Sequence, residues 1–317
     1  MELLQYGFMQ RALLAALLIG LTAPAVGVYL VQRRLALIGD GMGHVALTGV
    51  GVGLVTRTSP IWTALGCAVV GAILIELLRT RGRTSSDVAL AVLFYGGIAG
   101  GIVLVSQASG STPTNLDAYL FGSITSTTTA DLLAFGVLAA VVLLVTFGLS
   151  RVFFTVGADE EYARASGLPV LGLNITLAVM VAATVVVSMR VVGLLLVSAL
   201  MIVPVAAAQR LRRGFTGTTT TAMAIGVAVS VGGVVVSYHA DLPSGGTIVL
   251  AAIAVFLLAV VGSGLAAALR QPHREAEEHL HDHGPSCGHP TVVHGDHVDY
   301  VHHGHRHAPH GDHYDEH

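Results

Sequence analysis

Lysine is absent from this 317-residue chain: all sixteen of its basic residues are arginine. A P-loop requires a lysine directly after its second glycine. The chain therefore has no such loop, and any ATP that drives it is hydrolysed by another polypeptide. Charge of either sign is scarce, at 11% of residues against roughly 25% in soluble domains. Basic patches of the kind nucleic acid needs are lacking. The two cysteines, Cys67 and Cys287, lie far apart and suggest no disulfide framework; Cys67 reads as a small packing residue. The first residues, Met1-Glu2-Leu3-Leu4-Gln5, offer neither a positive n-region nor a cleavage site, so no signal processing is expected. No nucleophile–base constellation appears in the apolar segments, which argues against an enzyme.

What is present is apolar and segregated. Hydrophobic residues make up 53% of the chain, and the mean hydropathy is +0.74. Residues 1–270 read as one membrane domain and residues 271–317 as a polar tail. A helix crosses a bilayer with roughly 20 apolar residues. Candidate spans are 10–31, 36–55, 60–78, 88–106, 131–149, 173–189, 192–208, 219–238 and 247–269. Continuous apolar runs, rather than alternation, favour helices over a barrel. The expected fold is all-α: a polytopic membrane protein of eight or nine transmembrane helices in the cell (plasma or inner) membrane, in contact with lipid, with a disordered C-terminal tail. Small residues crowd the spans, as in Gly49-Val50-Gly51-Val52-Gly53, and allow helices to approach closely.

Twelve of the sixteen arginines fall in five clusters, at 33–34, 79–83, 151–164, 210–213 and 270–274; with these inside, Arg57 and Arg190 become external exceptions. Placing all five in the cytoplasm fits the span count, and puts the N-terminus outside and the tail inside. Segment 173–208 must then cross an even number of times, with only Arg190 and Val191 between its halves. It is either a tight hairpin or a broken, partly re-entrant element, tolerated where protein or a water-filled cavity shields it. Arg190 is a possible gate on that reading; a snorkelling interfacial arginine is the plainer alternative. Residues 107–130 are too polar to span and are expected outside, with Tyr119 and Phe121 at the interface.

Asp40 and His44 stand four apart within the apolar stretch 35–55, so a helix presents both on one face. An ionisable side chain within a span is costly and reads by default as functional. A carboxylate with an imidazole is half of a transition-metal site. Asp40 alone could cap a helix N-terminus, and a lone histidine is more often a core residue. The pairing and the depth favour metal. Two ligands fall short of the four that zinc takes; a two-fold homodimer with these faces at its axis would bring two Asp and two His together. His239-Ala240-Asp241 is another candidate pair, but a turn leading into Pro243 accounts for it better.

Around this pair the sequence resembles a known family. Gly39-Asp40-Gly41-Met42-Gly43-His44-Val45-Ala46-Leu47-Thr48-Gly49 is similar to the Gly-Asp-x-x-x-His-x-x-Leu-x-Gly segment of zinc/manganese-type ABC importer permeases, and nearest to the zinc-uptake members. Asp117–Gly122, Val192–Pro204, Ala206–Leu211 and Asp241–Leu250 continue the resemblance in order through about residue 270. Met42 and Gly43 depart from it by making the helix around the site unusually glycine-rich. The resemblance implies a homodimeric permease, a cytoplasmic ATPase subunit that carries the ATP, an external solute-binding protein, and a translocation path lined by Asp40 and His44. The transported ion, Zn2+ or else Mn2+ or Fe2+, is a substrate; no permanently bound cofactor is implied. The family's ATPase-docking segment has its counterpart at residues 157–169, with Asp159, Glu160, Glu161, Arg164, Gly167 and Leu168. From the residues alone this is a short charged helix with a Gly-Leu-Pro stop, which an ordinary connecting loop would also show.

Fourteen of the sixteen histidines lie in the tail, with nine acidic residues and little that could form a core. His279, His281, His283, Cys287, His289, His302, His303, His305 and His307 are the candidate tail ligands, since His-rich tracts take zinc, copper or nickel. That bias points to zinc as cargo. A proton-coupled secondary zinc carrier is the alternative from another class, but it would call for several intramembrane ligands in one chain, where only one good pair is found.

Overall fold

The structure is a computed structural model. It describes residues 5–80, 86–108, 119–123, 127–189, 191–194, 196–269, 274–275, 288–294, 297–302, 305–310 and 313–316. The chain forms two compact units, Met1–Val261 and Gly262–His317.

The first unit is helical. The helices are α1 (Gly7–Gln32), α2 (Ile38–Thr56), α3 (Pro60–Thr80), α4 (Ser86–Ala108), α5 (Thr129–Gly148), α6 (Ser150–Ala158), α7 (Glu160–Ala165), α8 (Val170–Ser188), α9 (Val197–Leu211), α10 (Phe215–Ala240) and α11 (Ser244–Leu269), the last of which continues past Val261 into the second unit. Among the described residues eight helices are long and apolar enough to cross a membrane: α1 to α5, α8, α10 and α11. This is a multi-pass membrane protein, as expected. The ninth candidate span is the exception. Helix α9 has only 15 residues, about 22 Å at a rise of about 1.5 Å each, and a non-helical stretch separates it from α8. The segment is thus a broken element; Arg190 itself lies outside the described residues.

Helices in lipid gain little from burying apolar area against each other, because the acyl chains are as apolar as leucine. Close packing must hold them, and glycine supplies it here. A Cβ on Gly27 of α1 would stand 1.9 Å from the Met201 carbonyl oxygen of α9. One on Gly49 of α2 would lie 2.5 Å from Ala64 Cα of α3, and one on Gly97 of α4 would lie 2.6 Å from the His44 carbonyl carbon. The bundle is therefore in backbone contact at α1–α9, α2–α3 and α2–α4. Some buried polar groups are served within the bundle: the Tyr29 hydroxyl donates to the Thr146 carbonyl at 3.2 Å, and Thr128 and Asp131 form a capping box at the start of α5. Outward-facing Val92 and Ile102 of α4, Leu133 and Leu144 of α5, and Leu250, Leu258 and Leu265 of α11 are exposed, as a lipid-facing surface requires.

The two ends of the bundle are tied differently. At one, Arg33, Arg79 and Arg164 gather around Glu160. This puts members of three arginine clusters on one side, as the charge pattern requires. At the other, three loops interlock. Leu194 N–H donates to the Tyr119 carbonyl at 2.9 Å and Gly245 N–H to the Phe121 carbonyl at 3.2 Å, while the Ser244 hydroxyl donates to the Val191 carbonyl at 2.7 Å. Gly122 (φ 76°) and Gly193 (φ 90°) adopt the left-handed backbone that this crossing needs.

The second unit carries β1 (Arg274–Glu275), β2 (Thr291–His294), β3 (His297–His302), β4 (His305–His310) and β5 (His313–Glu316), antiparallel in the order β1-β5-β4-β3-β2. No regular structure is expected from its composition, and its described interior is small: Asp299, Tyr300 and Ala308. Backbone pairing, rather than an apolar core, organises it.

Gly27→Val is expected to force α1 from α9 at a cost of about 1–3 kcal/mol, as overpacking does, and to lower the melting temperature of the purified protein in detergent. Gly66→Ala, where a Cβ meets nothing within 4 Å, is expected to leave it unchanged.

Candidate metal path

Helix α2 starts after a tight turn. Arg34 takes the left-handed conformation at φ 57°, Leu35 N–H donates back to the Leu30 carbonyl at 2.8 Å, and Ile38 N–H donates to the Leu35 carbonyl at 3.1 Å. The helix then runs unbroken through the glycine-rich 39–43 stretch. Asp40 lies in its first turn and His44 one turn on, on one face. Both alternatives for Asp40 meet here, since a carboxylate in a first turn also suits the helix dipole. Its side chain, however, does not cap the helix; it is held from across the bundle.

The holder is Ser198, in the first turn of α9, whose hydroxyl donates a short hydrogen bond to Asp40 Oδ1. Ser198 is 7% exposed and Asp40 half-buried. The broken segment makes this contact available, because the end of the non-helical stretch delivers the start of α9 to α2. Gly43 admits the same segment: a Cβ there would lie 2.8 Å from the Leu194 carbonyl oxygen. The glycine that departs from the family pattern is thus where α2 and the break meet. Nothing local in the sequence marks Ser198; its only signal is a small hydroxyl in an apolar run just past an interruption.

His44 is buried, and its ring meets the Phe94 ring edge-on with centroids 4.1 Å apart. Among the described residues no three His, Cys, Asp or Glu side chains come together in a way that could hold a metal ion. Among the described residues one chain therefore offers a pair, not a complete ligand set.

The other candidates fall elsewhere. His239 Nδ1 is 2.9 Å from the carbonyl of Val235 on its own helix, and Asp241 ends α10 in the left-handed conformation at φ 53°. That is the turn expected before Pro243. Asp159 caps α7 by accepting from Tyr162 N–H at 2.9 Å. Glu160 and Arg164 pair at 3.0 Å along the helix, Glu161 is exposed, and Gly167 turns the chain at φ 81°. In the tail His289, His302, His305 and His307 lie on described backbone, whereas His279, His281, His283, Cys287 and His303 lie outside it.

A bundle of eight membrane-crossing helices around an embedded carboxylate–imidazole pair has the make-up of a transport permease. The chain belongs to the ABC 3 transport family, which matches residues 5–263. It is 34% identical over 261 residues to the "Probable metal transport system membrane protein" of Treponema pallidum (strain Nichols), covering 81% of this chain and 96% of that one. It is 31% identical over 258 residues to the "Manganese transport system membrane protein MntC" of Halalkalibacterium halodurans, covering 81% and 88%. Among solved structures, PsaBC from Streptococcus pneumoniae in complex with Fab superposes with a TM-score of 0.74 at 28% identity, covering 81% of this chain and 92% of that one. The chain is accordingly a membrane-permease subunit of an ABC transport system, not an enzyme; ATP hydrolysis belongs to a separate subunit.

Ser198→Ala removes the donor to Asp40. Hydrogen bonds to charged groups contribute about 1.5–3 kcal/mol, so metal uptake is expected to fall about tenfold or more, with Ser198→Thr retaining part of it. Initial uptake rates at matched membrane levels check this.

Proposed function

We propose that this chain is one half of a homodimeric permease that imports a divalent transition metal, zinc by preference, past Asp40 and His44 of both protomers. The observation that carries the reading is the embedded pair on α2, with its carboxylate oriented from a second helix. A two-ligand half-site suits a dimer, because two halves supply the four groups that zinc takes. It also suits transit, since an ion held by a complete, rigid set would not leave.

The remaining parts fit an ABC importer. Residues 157–169 form a short, capped, charged helix closed by Gly167 and Leu168, the shape required of a docking segment for the ATPase. The opposite end of the bundle, with its interlocked loops, would meet an external solute-binding protein. Family membership favours this reading over a proton-coupled carrier.

The tail supports zinc. Three histidine pairs stand directly opposite each other in strand register: His294 with His297, His302 with His305, and His310 with His313. Each pair is separated by two residues, and the pairs recur every eight. Imidazole suits zinc better than manganese. On the inside-facing orientation the tail would hold metal after entry and slow further transport. The names of the metal and manganese transport relatives favour a second reading, a manganese or iron importer with the same path.

The test is uptake of radiolabelled zinc and manganese in cells lacking this protein, complemented with the native chain, Asp40→Ala or His44→Ala at matched membrane levels. Native-only restoration of zinc uptake is the expected result. Equal restoration by His44→Ala would make His44 a packing residue, and restoration of manganese alone would move the cargo to the second reading. The chain lacking 273–317 is expected to keep importing zinc after the native chain has slowed; identical time courses at every external zinc level would remove the tail from regulation.

A further inference from the structure

Glu160, the first residue of α7, is the centre of a charge network that reaches into the membrane bundle. Its Oε2 lies 3.4 Å from Arg33 Nη2 and 3.6 Å from Arg79 Nη2, and its Oε1 lies 3.0 Å from Arg164 Nη2. Arg79 also stands 3.6 Å from Oε1 of Glu76, one turn back along α3. Glu76 is 2% exposed, and that oxygen has no hydrogen-bond partner. An uncompensated buried carboxylate is strongly destabilising, so Arg79 is the countercharge that permits it. The charges alternate along a path from the interior of α3, through the start of α7, to the residue that ends α1.

Arg33 makes this path mechanically interesting. Its side chain is only 8% exposed, so no partner protein can grip it directly. Burial pulls its guanidinium below the ordinary value and Arg79 adds to that pull, while Glu160 and Glu76 oppose it. Its neighbour Gln32 is fastened to the same region: Gln32 Nε2 donates to the Phe154 carbonyl of α6 at 3.3 Å, and a Cβ on Gly157 would lie 3.0 Å from the Gln32 side chain. The end of α1 is thus fixed to α6 and α7. The tight turn at Arg33–Leu37 then leads into α2, where Asp40 is seven residues beyond Arg33. With no slack in that turn, displacement of α7 moves the start of α2.

We propose that the Glu76–Arg79–Glu160–Arg33 network is the link through which movement of the docking segment reaches Asp40. Arg33, Arg79 and Glu76 are then positioning residues of the transport cycle. The inference rests on the reading of residues 157–169 as the ATPase-docking segment. It adds a route from that segment to the ion path.

The experiment uses the whole permease co-expressed with its ATPase subunit and reconstituted into liposomes. ATPase co-purification, ATP hydrolysis, and uptake of radiolabelled zinc and manganese are read side by side. Arg33→Met keeps an unbranched stem but removes the charge. It is expected to retain the ATPase subunit and its hydrolysis while uptake per ATP falls about tenfold, within the usual range for coupling between sites. Arg33→Lys restores the charge and is expected to recover most of the uptake. Glu76→Gln, nearly isosteric, is expected to lower uptake per ATP in the same direction, which guards against a folding defect peculiar to Arg33. Native uptake per ATP in Arg33→Met, or equal losses in Arg33→Met and Arg33→Lys, would overturn the link. Parallel loss of ATPase co-purification and uptake in Arg33→Met would also overturn it, since Arg33 would then only shape the docking surface. Glu161→Arg tests docking separately: Glu161 is exposed and outside the network, and unchanged co-purification there would remove the docking reading itself.

Discussion

A carboxylate at membrane depth has to be solvated by protein, and the arrangement of this bundle around α2 follows from that constraint. Water is not available to Asp40 as it is to a surface residue, and a charge within a span is costly unless it faces the bundle interior and finds partners. The partner is the Ser198 hydroxyl. For it to arrive, the α8–α9 segment must break and α9 must start beside α2. The break frees backbone groups that must be satisfied within protein. The interlocked loops do so, with Tyr119, Phe121 and Val191 supplying carbonyl acceptors. Gly43, Gly122, Gly193 and Gly245 are then fixed by geometry, since a Cβ at any of them would collide with the backbone of the adjoining segment. One embedded charge thus fixes a hydroxyl, a helix break and four glycines.

Much of this could be read from the chain, and the rest could not, for definite reasons. The spans are legible because a bilayer imposes one length on every crossing helix. The Asp40–His44 face is legible because four residues is a local distance on a helix. The interruption near Arg190 is legible because charge bookkeeping demands an even number of crossings where only two residues separate the halves. Ser198 is not legible: it lies 158 residues from Asp40, and serine is unremarkable in apolar helices packed through small residues. The same holds for Arg33, Arg79 and Glu160, each of which reads locally as positive-inside charge or a helix-terminal acid. Only their meeting gives them a further meaning. The tail sheet is illegible for another reason: pairing through the backbone leaves little hydrophobic alternation for a pattern search to find.

Glycine and arginine divide the work within the bundle. Where helices must stay close whatever the state of transport, as at Gly49 against Ala64 or Gly27 against Met201, backbone touches backbone. Such contacts have a steep, short-ranged energy that makes them either kept or lost. Where α7 meets α1 and α3, the elements proposed to shift, long guanidinium side chains bridge them. An ion pair held at 3.4–3.6 Å tolerates a change of several tenths of an ångström without breaking. Rigid contacts thus lie between α1 and α9 and between α2 and α3, and compliant ones lie where α7 meets α1 and α3.

On the proposed reading of Asp40 and His44 as ligands, an incomplete set would be a requirement of the cycle rather than a deficiency of the site. A carrier has to bind its ion selectively and also release it each turn. Four fixed ligands would serve the first need and defeat the second. In the proposed homodimer, splitting the set between protomers would make affinity depend on how closely two copies of α2 approach, and the tight turn at Arg33–Leu37 would tie that approach to the position of α7. The metal chosen would follow less from Asp40 and His44 than from the groups around them, such as Ser198 on the carboxylate and Phe94 against the imidazole, because such neighbours orient ligands and set their basicity. The imidazole suits zinc and the carboxylate suits manganese, so the pair alone does not decide; discrimination has to come from how far the protein lets it adjust to the ion.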